Sequence, residues 1–323
     1  MKISAILLVG GKGTRLLPLT LQTPKPMLEV AGVPFTEHQI RKAAQAGISE
    51  IVLATSYKAE LFEPYFGNGE RFGIKIKYAV ETSALGTAGG IRNAAKLLDP
   101  YDLVVIFNGD VLSAHDLKKQ IQFHQEHQAD VSLYLTEVDD ARAYGCVELA
   151  SNNQVKSFLE KMDNPTSNLI NAGCYIFKSG VIQQIPVDQV VSVERQTFPE
   201  LLKSGAQVFG YLDNSYWLDI GTPAALVKAS ADLIMGKVFS PATPKHEGEC
   251  LVAADSNIDS SSRVEKGSSI APKVIIESNC QITGSIIGRG AKIGADCKII
   301  DSIIAPNTQI SAGMIVNSNY LGF

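Results

Sequence analysis

The chain has 323 residues and a net charge of −4, with 45% of its residues apolar and 19% charged. That composition builds a sizeable core, in two domains by the usual length relation, and excludes a disordered or fibrous chain. No basic stripe points to nucleic acid, and no apolar run approaches the 18 residues of a membrane span.

The opening MKISAILLVGG is too short for a signal peptide and has no small-residue cleavage site, so a cytoplasmic chain is expected. Its ISAILLVG is continuously apolar and predicts a buried strand. FTEHQIRKAAQAGI predicts a helix ending at Gly47, followed by strands in EIVLATS and IKIKYAVE. TAGGIRNAAKLL predicts a helix, DLVVIFNGD a strand, DLKKQIQFHQEHQ a helix and DVSLYLTEV a strand. Strands alternating with helices predict a Rossmann-like α/β domain over residues 1–235, with a mixed, mostly parallel sheet covered on both faces. Ligands of such sheets bind beyond the carboxyl ends of the strands, where Gly10, Gly11 and Asp110 fall.

From residue 236 the texture changes. GKVFSPATPKHEGE, residues 236–249, has two prolines, two glycines and no apolar period, and predicts a linker. Beyond it, aliphatic residues recur every six, at Val252, Ile258, Val264, Ile270, Ile276 and Ile282. After shorter steps they recur at Ile287, Ile293 and Ile299, then at Ile304, Ile310 and Val316. This period suits neither helix nor flat sheet. It predicts a left-handed parallel β-helix of hexapeptide repeats over residues 250–323, about four coils long.

The five cysteines, Cys146, Cys174, Cys250, Cys280 and Cys297, include no C-x-x-C pair and are expected to be reduced and mostly buried. The five histidines, at 38, 115, 124, 127 and 246, show no metal-ligand spacing. His124 and His127, three apart on a polar helix, are expected to be solvated.

The stretch LLVGGKGTRLLPLTLQTPKPML, residues 7–28, carries the densest chemistry. Glycines at a strand end let backbone N–H groups approach an anion, and successive N–H groups form an anion-binding concavity. Arg15 adds a planar, permanently charged fork, and Lys25 stands between Pro24 and Pro26, whose rings restrict the backbone. Neither the Walker A pattern nor G-x-G-x-x-G is met, since no Gly-Lys-Ser/Thr follows and the sixth position from Gly11 is Leu16. Asp110, after the strand and Asn108-Gly109, suits a hard cation. Asp219 in WLDIGTP is either a second such carboxylate or a helix cap. LGTAGG is a second side-chain-poor loop before a helix. Gly145 in YGCVE leaves room for a sugar on the backbone. Glu160 and Lys161 are adjacent, so both reach one ligand only where a strand twists or ends. Asn171 is expected to open a strand.

These residues resemble the sugar-1-phosphate nucleotidyltransferase family. The resemblance runs through GGKGTRLLPLT, PKPML, LGTAGGIRNA, FNGD, FLEK, NAGCYIF and YWLDIGTP and spans almost the whole chain, because several members append a hexapeptide β-helix. It implies transfer of a nucleoside monophosphate from a triphosphate to a sugar 1-phosphate, with release of pyrophosphate. The members that join GTP to mannose 1-phosphate are the most similar; heptose guanylyl, N-acetylglucosamine uridylyl and glucose thymidylyl transfer are the alternatives. It implies catalytic roles for Arg15, Lys25 and Lys161. It implies nucleotide contacts at Val9, Gly10, Gly11, Gly13, Thr14, Gly86, Thr87, Asn108 and Gly109. Sugar contacts fall at Gly145, Glu160 and Asn171, and a Mg²⁺ site at Asp110 and Asp219. A homo-oligomer with β-helix contacts is expected. Acyl transfer by the β-helix is disfavoured because no histidine lies among the repeats. A silent sensor of sugar nucleotides would have lost one of Arg15, Lys25, Asp110 or Asp219, and all four are present.

Overall fold

A computed structural model describes all residues except Thr82. Packing groups the chain into two compact units, neither continuous in sequence: residues 1–11 with 39–217, and residues 12–38 with 218–323.

The first unit is built on a nine-stranded sheet. In chain order its strands are β1 (Ile3–Leu8), β2 (Glu50–Thr55), β3 (Lys75–Val80), β4 (Leu103–Asn108), β5 (Val131–Glu137), β6 (Gly145–Leu149), β7 (Val155–Glu160), β8 (Leu169–Lys178) and β9 (Val208–Leu212). They lie in the order β7-β6-β8-β4-β1-β2-β3, with β5 pairing β8 and β9. The run β3-β2-β1-β4 is parallel. β8 enters antiparallel to β4, β5 and β6. The continuous apolar runs behave as expected of strands covered on both faces: Ala5, Ile6 and Leu7 are wholly buried, as are Val104, Val105 and Ile106. The helix Gly86–Ala95 lays Ala88, Ile91 and Ala94 against the sheet, all at 0% exposure. Burying Ile91 alone contributes about 2–3 kcal/mol.

The histidine expectation is corrected here. His124, on the helix Leu117–Glu126, is buried, with Nδ1 3.0 Å from Ser132 Oγ. His127 is half-buried, its ring 4.0 Å from that of Phe123. The helix buries the stripe Leu117, Gln120, Ile121 and His124, at helical spacing, so His124 belongs to the inward face despite its polar neighbours. Burial lowers the His124 imidazole to a pKa of about 4.

The second unit contains the repeats, which stack as three parallel sheets of five, four and four short strands. The predicted residues form three columns: Val252, Ile270, Ile287 and Ile304 in one, then Ile258, Ile276, Ile293 and Ile310, then Val264, Ile282, Ile299 and Val316. Leu321 extends the first column. This is a left-handed β-helix. Val252 departs from the pattern at 43% exposure, because an inward residue of the first coil has a neighbour on one side only. The N-terminal segment of this unit is tied to its far end in sequence. Ala31 N–H donates to Ser230 Oγ at 3.0 Å, and a methyl on Gly32 would lie 2.8 Å from Leu251 Cδ2. Described cysteines are all unpaired thiols, four of them buried and Cys250 half-buried.

Candidate nucleotide and sugar-phosphate site

In the first unit β1 ends at Leu8, but Val9 N–H still donates to Ala54 O at 3.0 Å. A methyl on Gly10 would lie 2.9 Å from Ser56 Oγ. Gly11 adopts φ +105 with open space beside it, and its N–H donates to the same hydroxyl at 3.3 Å. The glycines therefore turn a bare backbone away from the strand end, a conformation side chains rarely accept.

The turn after β4 is held tightly. Gly109 N–H donates to Leu8 O at 3.0 Å, and an added Cβ would lie 2.2 Å from that same oxygen. Gly109 thus owes its identity to contact with β1. Gln39 grips the turn from the other side: its Nε2 donates to Asn108 O at 2.7 Å and Val111 O at 3.3 Å. These two carbonyls bracket the half-buried Asp110. Sequence reasoning missed Gln39. Its only local signal is a polar run, TEHQ, at the start of a helix whose side chains turn out buried.

The helix predicted from Thr87 begins one residue earlier, at Gly86. Gly86 and Thr87 already belong to the first turn of the helix Gly86–Ala95. Gly86 has φ +71, and a Cβ there would lie 2.5 Å from Val191 O. Thr87 Oγ1 donates to Glu194 Oε2 at 2.8 Å and accepts from Val193 N–H at 2.8 Å. Its hydroxyl is therefore committed within the protein. Glu194 is the second residue of the π-helical turn Val193–Thr197, another feature that no local pattern announced.

Gly145 makes room for Glu160, since a methyl there would lie 2.8 Å from Glu160 Oε2 and 2.7 Å from Phe158 Cζ. Glu160 closes β7, and Lys161 follows with φ +50, so the strand ends between them. Their charged groups stand 3.7 Å apart. Burial pushes the Glu160 carboxyl up, with help from the charge of Glu194, while Lys161 and Arg195 pull it down. Asn171 is the third residue of β8 rather than its first, and sits where a bulge shifts the register between Asn171 and Tyr175. Asn171 Nδ2 donates to Tyr175 Oη at 3.1 Å, and Tyr175 donates to Asn108 Oδ1 at 3.2 Å.

In the second unit, Gly13 takes φ +60 and leads into the 3₁₀ turn Thr14–Leu16, with Leu16 buried as its anchor. A methyl on Gly13 would lie 3.0 Å from Lys25 Cβ, which places the glycine directly against the lysine stem. Lys25 is half-buried and begins the 3₁₀ turn Lys25–Met27, whose Pro26 carbonyl accepts from Thr36 Oγ1 at 2.9 Å. Arg15 Nη1 stands 4.0 Å from Asp219 Oδ2, with the arginine side chain 68% exposed. Gly221 admits this pair, since a Cβ there would lie 3.0 Å from both groups. Asp219 is not the helix cap. Thr222 is, its Oγ1 accepting from Ala225 N–H at 3.2 Å ahead of Pro223.

Among the described residues no three His, Cys, Asp or Glu side chains gather so as to hold a metal ion. The carboxylates of Asp110 and Asp219 are half-buried hard-oxygen donors. Each by itself is the donor type of a cation that takes one or two carboxylates and completes its shell with phosphates and water. No described helix is long and apolar enough to cross a membrane.

The nucleotidyl transferase family profile matches residues 4–235, and the GlmU-like C-terminal hexapeptide profile matches residues 240–320. The chain is 44% identical to a mannose-1-phosphate guanylyltransferase of Mycobacterium tuberculosis, over 98% of this chain and 83% of that relative. It is 37% identical to the mannose-1-phosphate guanylyltransferase catalytic subunit beta of Drosophila melanogaster, over 68% of this chain, and spans 59% of that relative's length. Among solved structures, HddC from Yersinia pseudotuberculosis complexed with GMP-PN is 30% identical with a TM-score of 0.61, covering 71% of this chain and 98% of that one. A putative glucose-1-phosphate thymidylyltransferase from Bacillus anthracis is 25% identical with a TM-score of 0.65, covering 71% and 94%. With the glycine-lined strand end, the paired Arg15 and Asp219 and the stacked coils all falling inside the matched ranges, the chain belongs to the nucleotidyl transferase family.

Proposed function

We propose that the chain joins GTP to mannose 1-phosphate, forming GDP-mannose and releasing pyrophosphate. The observation that carries this reading is the 44% identity to a mannose-1-phosphate guanylyltransferase across 98% of the chain. The geometry supports it. In the first unit, bare backbone at Gly10 and Gly11 suits phosphate oxygens; in the second, Lys25 is held against Gly13 and Arg15 is largely exposed.

Transfer of this kind needs positioning and charge neutralisation more than acid–base groups. An oxygen of the sugar phosphate attacks the α-phosphorus in line, the bond from that phosphorus to the β-phosphate oxygen breaks, and pyrophosphate leaves with the electron pair. Arg15 holds the leaving pyrophosphate, Lys25 bridges the α-phosphate and the attacking oxygen, and Lys161 orients the sugar phosphate. Glu160 and Asn171 accept and donate to sugar hydroxyls. Asp110 and Asp219 are the residues assigned to a divalent cation, proposed as Mg²⁺, which when bound supplies charge neutralisation of the phosphates. A homo-oligomer assembled through the β-helix belongs to the same reading and is checked by sedimentation.

The test is pyrophosphate release with Mg²⁺ from GTP, dTTP, UTP, ATP and CTP against mannose, glucose, N-acetylglucosamine and heptose 1-phosphates. GTP with mannose 1-phosphate is expected to dominate. Dominance of another pair overturns the substrate assignment, and silence of the folded protein with every pair overturns the enzymatic one. Lys25→Ala is expected to lose about 10²–10³ in kcat, by analogy with removal of one transition-state donor. A near-normal kcat removes Lys25 from the mechanism.

A further inference from the structure

Tyr175 is wholly buried, yet its hydroxyl sits between two asparagines on different strands. It accepts from Asn171 Nδ2 at 3.1 Å and donates to Asn108 Oδ1 at 3.2 Å. In a regular strand Asn171 and Tyr175, four residues apart, would stand about 13 Å apart along the strand. The bulge in β8 halves that separation: Asn171 pairs with Leu135 and Tyr175 with Leu133, so four steps on one strand oppose two on the other. Gly173, at φ +81, makes the bulge, and a methyl there would lie 2.9 Å from Val111 Cγ2 and 3.2 Å from Asn108 Cβ.

The ring of Tyr175 is accounted for by packing, edge-on to Phe198 at 5.3 Å and to Phe177 at 6.4 Å. A phenylalanine would fill that space, so the hydroxyl is not needed for the core. Burying a hydroxyl is costly unless it is bonded, and here both of its bonds go to amides flanking the candidate site. Each bond settles an orientation. Asn108 must turn Oδ1 toward the phenol, which directs its N–H₂ elsewhere. Asn171 must turn Nδ2 toward it, and its Oδ1 accepts from Gly173 N–H at 3.3 Å. Burial raises the phenol well above its usual range, so it stays neutral and can donate and accept at once. Asn108 also stands next to the Asp110 turn, its carbonyl held by Gln39.

We propose that Tyr175 is a positioning residue for substrate recognition: its hydroxyl sets the facing of the Asn108 and Asn171 amides and so sharpens discrimination between sugar epimers. This rests on the reading of Asn171 as a sugar contact. A preset amide presents one donor or acceptor to each hydroxyl, whereas an amide able to flip accepts either epimer more nearly equally.

The test compares Tyr175→Phe, Asn171→Ala and the double variant, using mannose 1-phosphate and glucose 1-phosphate with GTP, alongside thermal unfolding. Tyr175→Phe is expected to raise KM for mannose 1-phosphate roughly tenfold and to reduce the mannose-over-glucose ratio of kcat/KM by a similar factor, the effect of one lost hydrogen bond. The double variant is expected to lose no more epimer selectivity than Asn171→Ala alone, because the amide that faces the sugar is already gone. A Tyr175→Phe protein that melts earlier but keeps both KM and the epimer ratio has lost a purely structural bond, and overturns the inference. Additive losses of epimer selectivity in the double variant overturn it too. Asn171→Ala with unchanged KM for the sugar phosphate overturns the reading of Asn171 itself, and the inference with it. An impaired Asn171→Ala beside a normal Tyr175→Phe overturns the inference alone. Should Tyr175→Phe not fold, Asn108→Ala serves: Asn108 is not placed on the sugar, and without its Oδ1 the phenol proton is free to turn to Asn171 and release its preset facing. A lowered epimer ratio then supports the inference, and an unchanged one overturns it.

Discussion

A single methyl group is the sharpest probe of the Asp110 turn. At Gly109 it would lie 2.2 Å from Leu8 O and 3.2 Å from Val9 Cγ1, neither of which can yield without moving the end of β1. Gly109→Ala is expected to cost roughly 2–4 kcal/mol in chemical denaturation, at the severe end for one substitution. It is also expected to depress kcat, because the Asp110 carboxylate moves with the turn. A stable and fully active Gly109→Ala protein would show that the turn has slack. His124 offers a probe of a different kind. The folded imidazole stays neutral down to a pKa of about 4, whereas in the unfolded chain it protonates below about 6.5. Between those values the unfolded state binds more protons, so stability falls as pH falls. This group alone is expected to lower stability by about 2 kcal/mol from pH 7 to pH 5. His124→Gln should flatten the slope in that window when unfolding free energies are measured at both pH values, and an unchanged slope would assign the loss to other groups.

At the scale of an element, the β-helix distributes its stability unevenly along the stack. Ile293 is wholly buried between Ile276 and Ile310 in its column. Ile293→Ala is expected to cost about 2–5 kcal/mol through lost transfer and the cavity left behind. Val252, 43% exposed on the first coil, should cost under about 1 kcal/mol on truncation to alanine. Urea midpoints of the two variants, measured side by side, decide this, and equal midpoints would mean that the column does not share its load by burial. The 3₁₀ turns near Arg15 and Lys25 follow another rule. They are too short to hold themselves and depend on anchors such as Leu16 and the Thr36 bond to Pro26.

Over the whole molecule, what could be read from the chain is what repeats or runs locally. The six-residue period named its columns residue by residue, because each coil faces the same packing problem as its neighbours. The strands before Gly10 and Gly109 were legible because double-sided burial demands continuous apolar residues. Gln39, Tyr175 and Glu194 were not legible, since each acts across long separations: Gln39 reaches Asn108 over 69 residues, Tyr175 over 67, and Glu194 meets Thr87 across 107. His124 was misplaced because its polar neighbours hid the inward stripe. The discontinuous second unit has a consequence for biosynthesis. The segment that carries Arg15 and Lys25 leaves the ribosome early, but Ala31 meets Ser230 only 199 residues later, and His38 meets Ser240 after 202. At about 5–20 residues per second, that segment waits on the order of 10–40 s for its partners. The segment of Arg15 and Lys25 is therefore among the last parts of the candidate site to mature on a nascent protein.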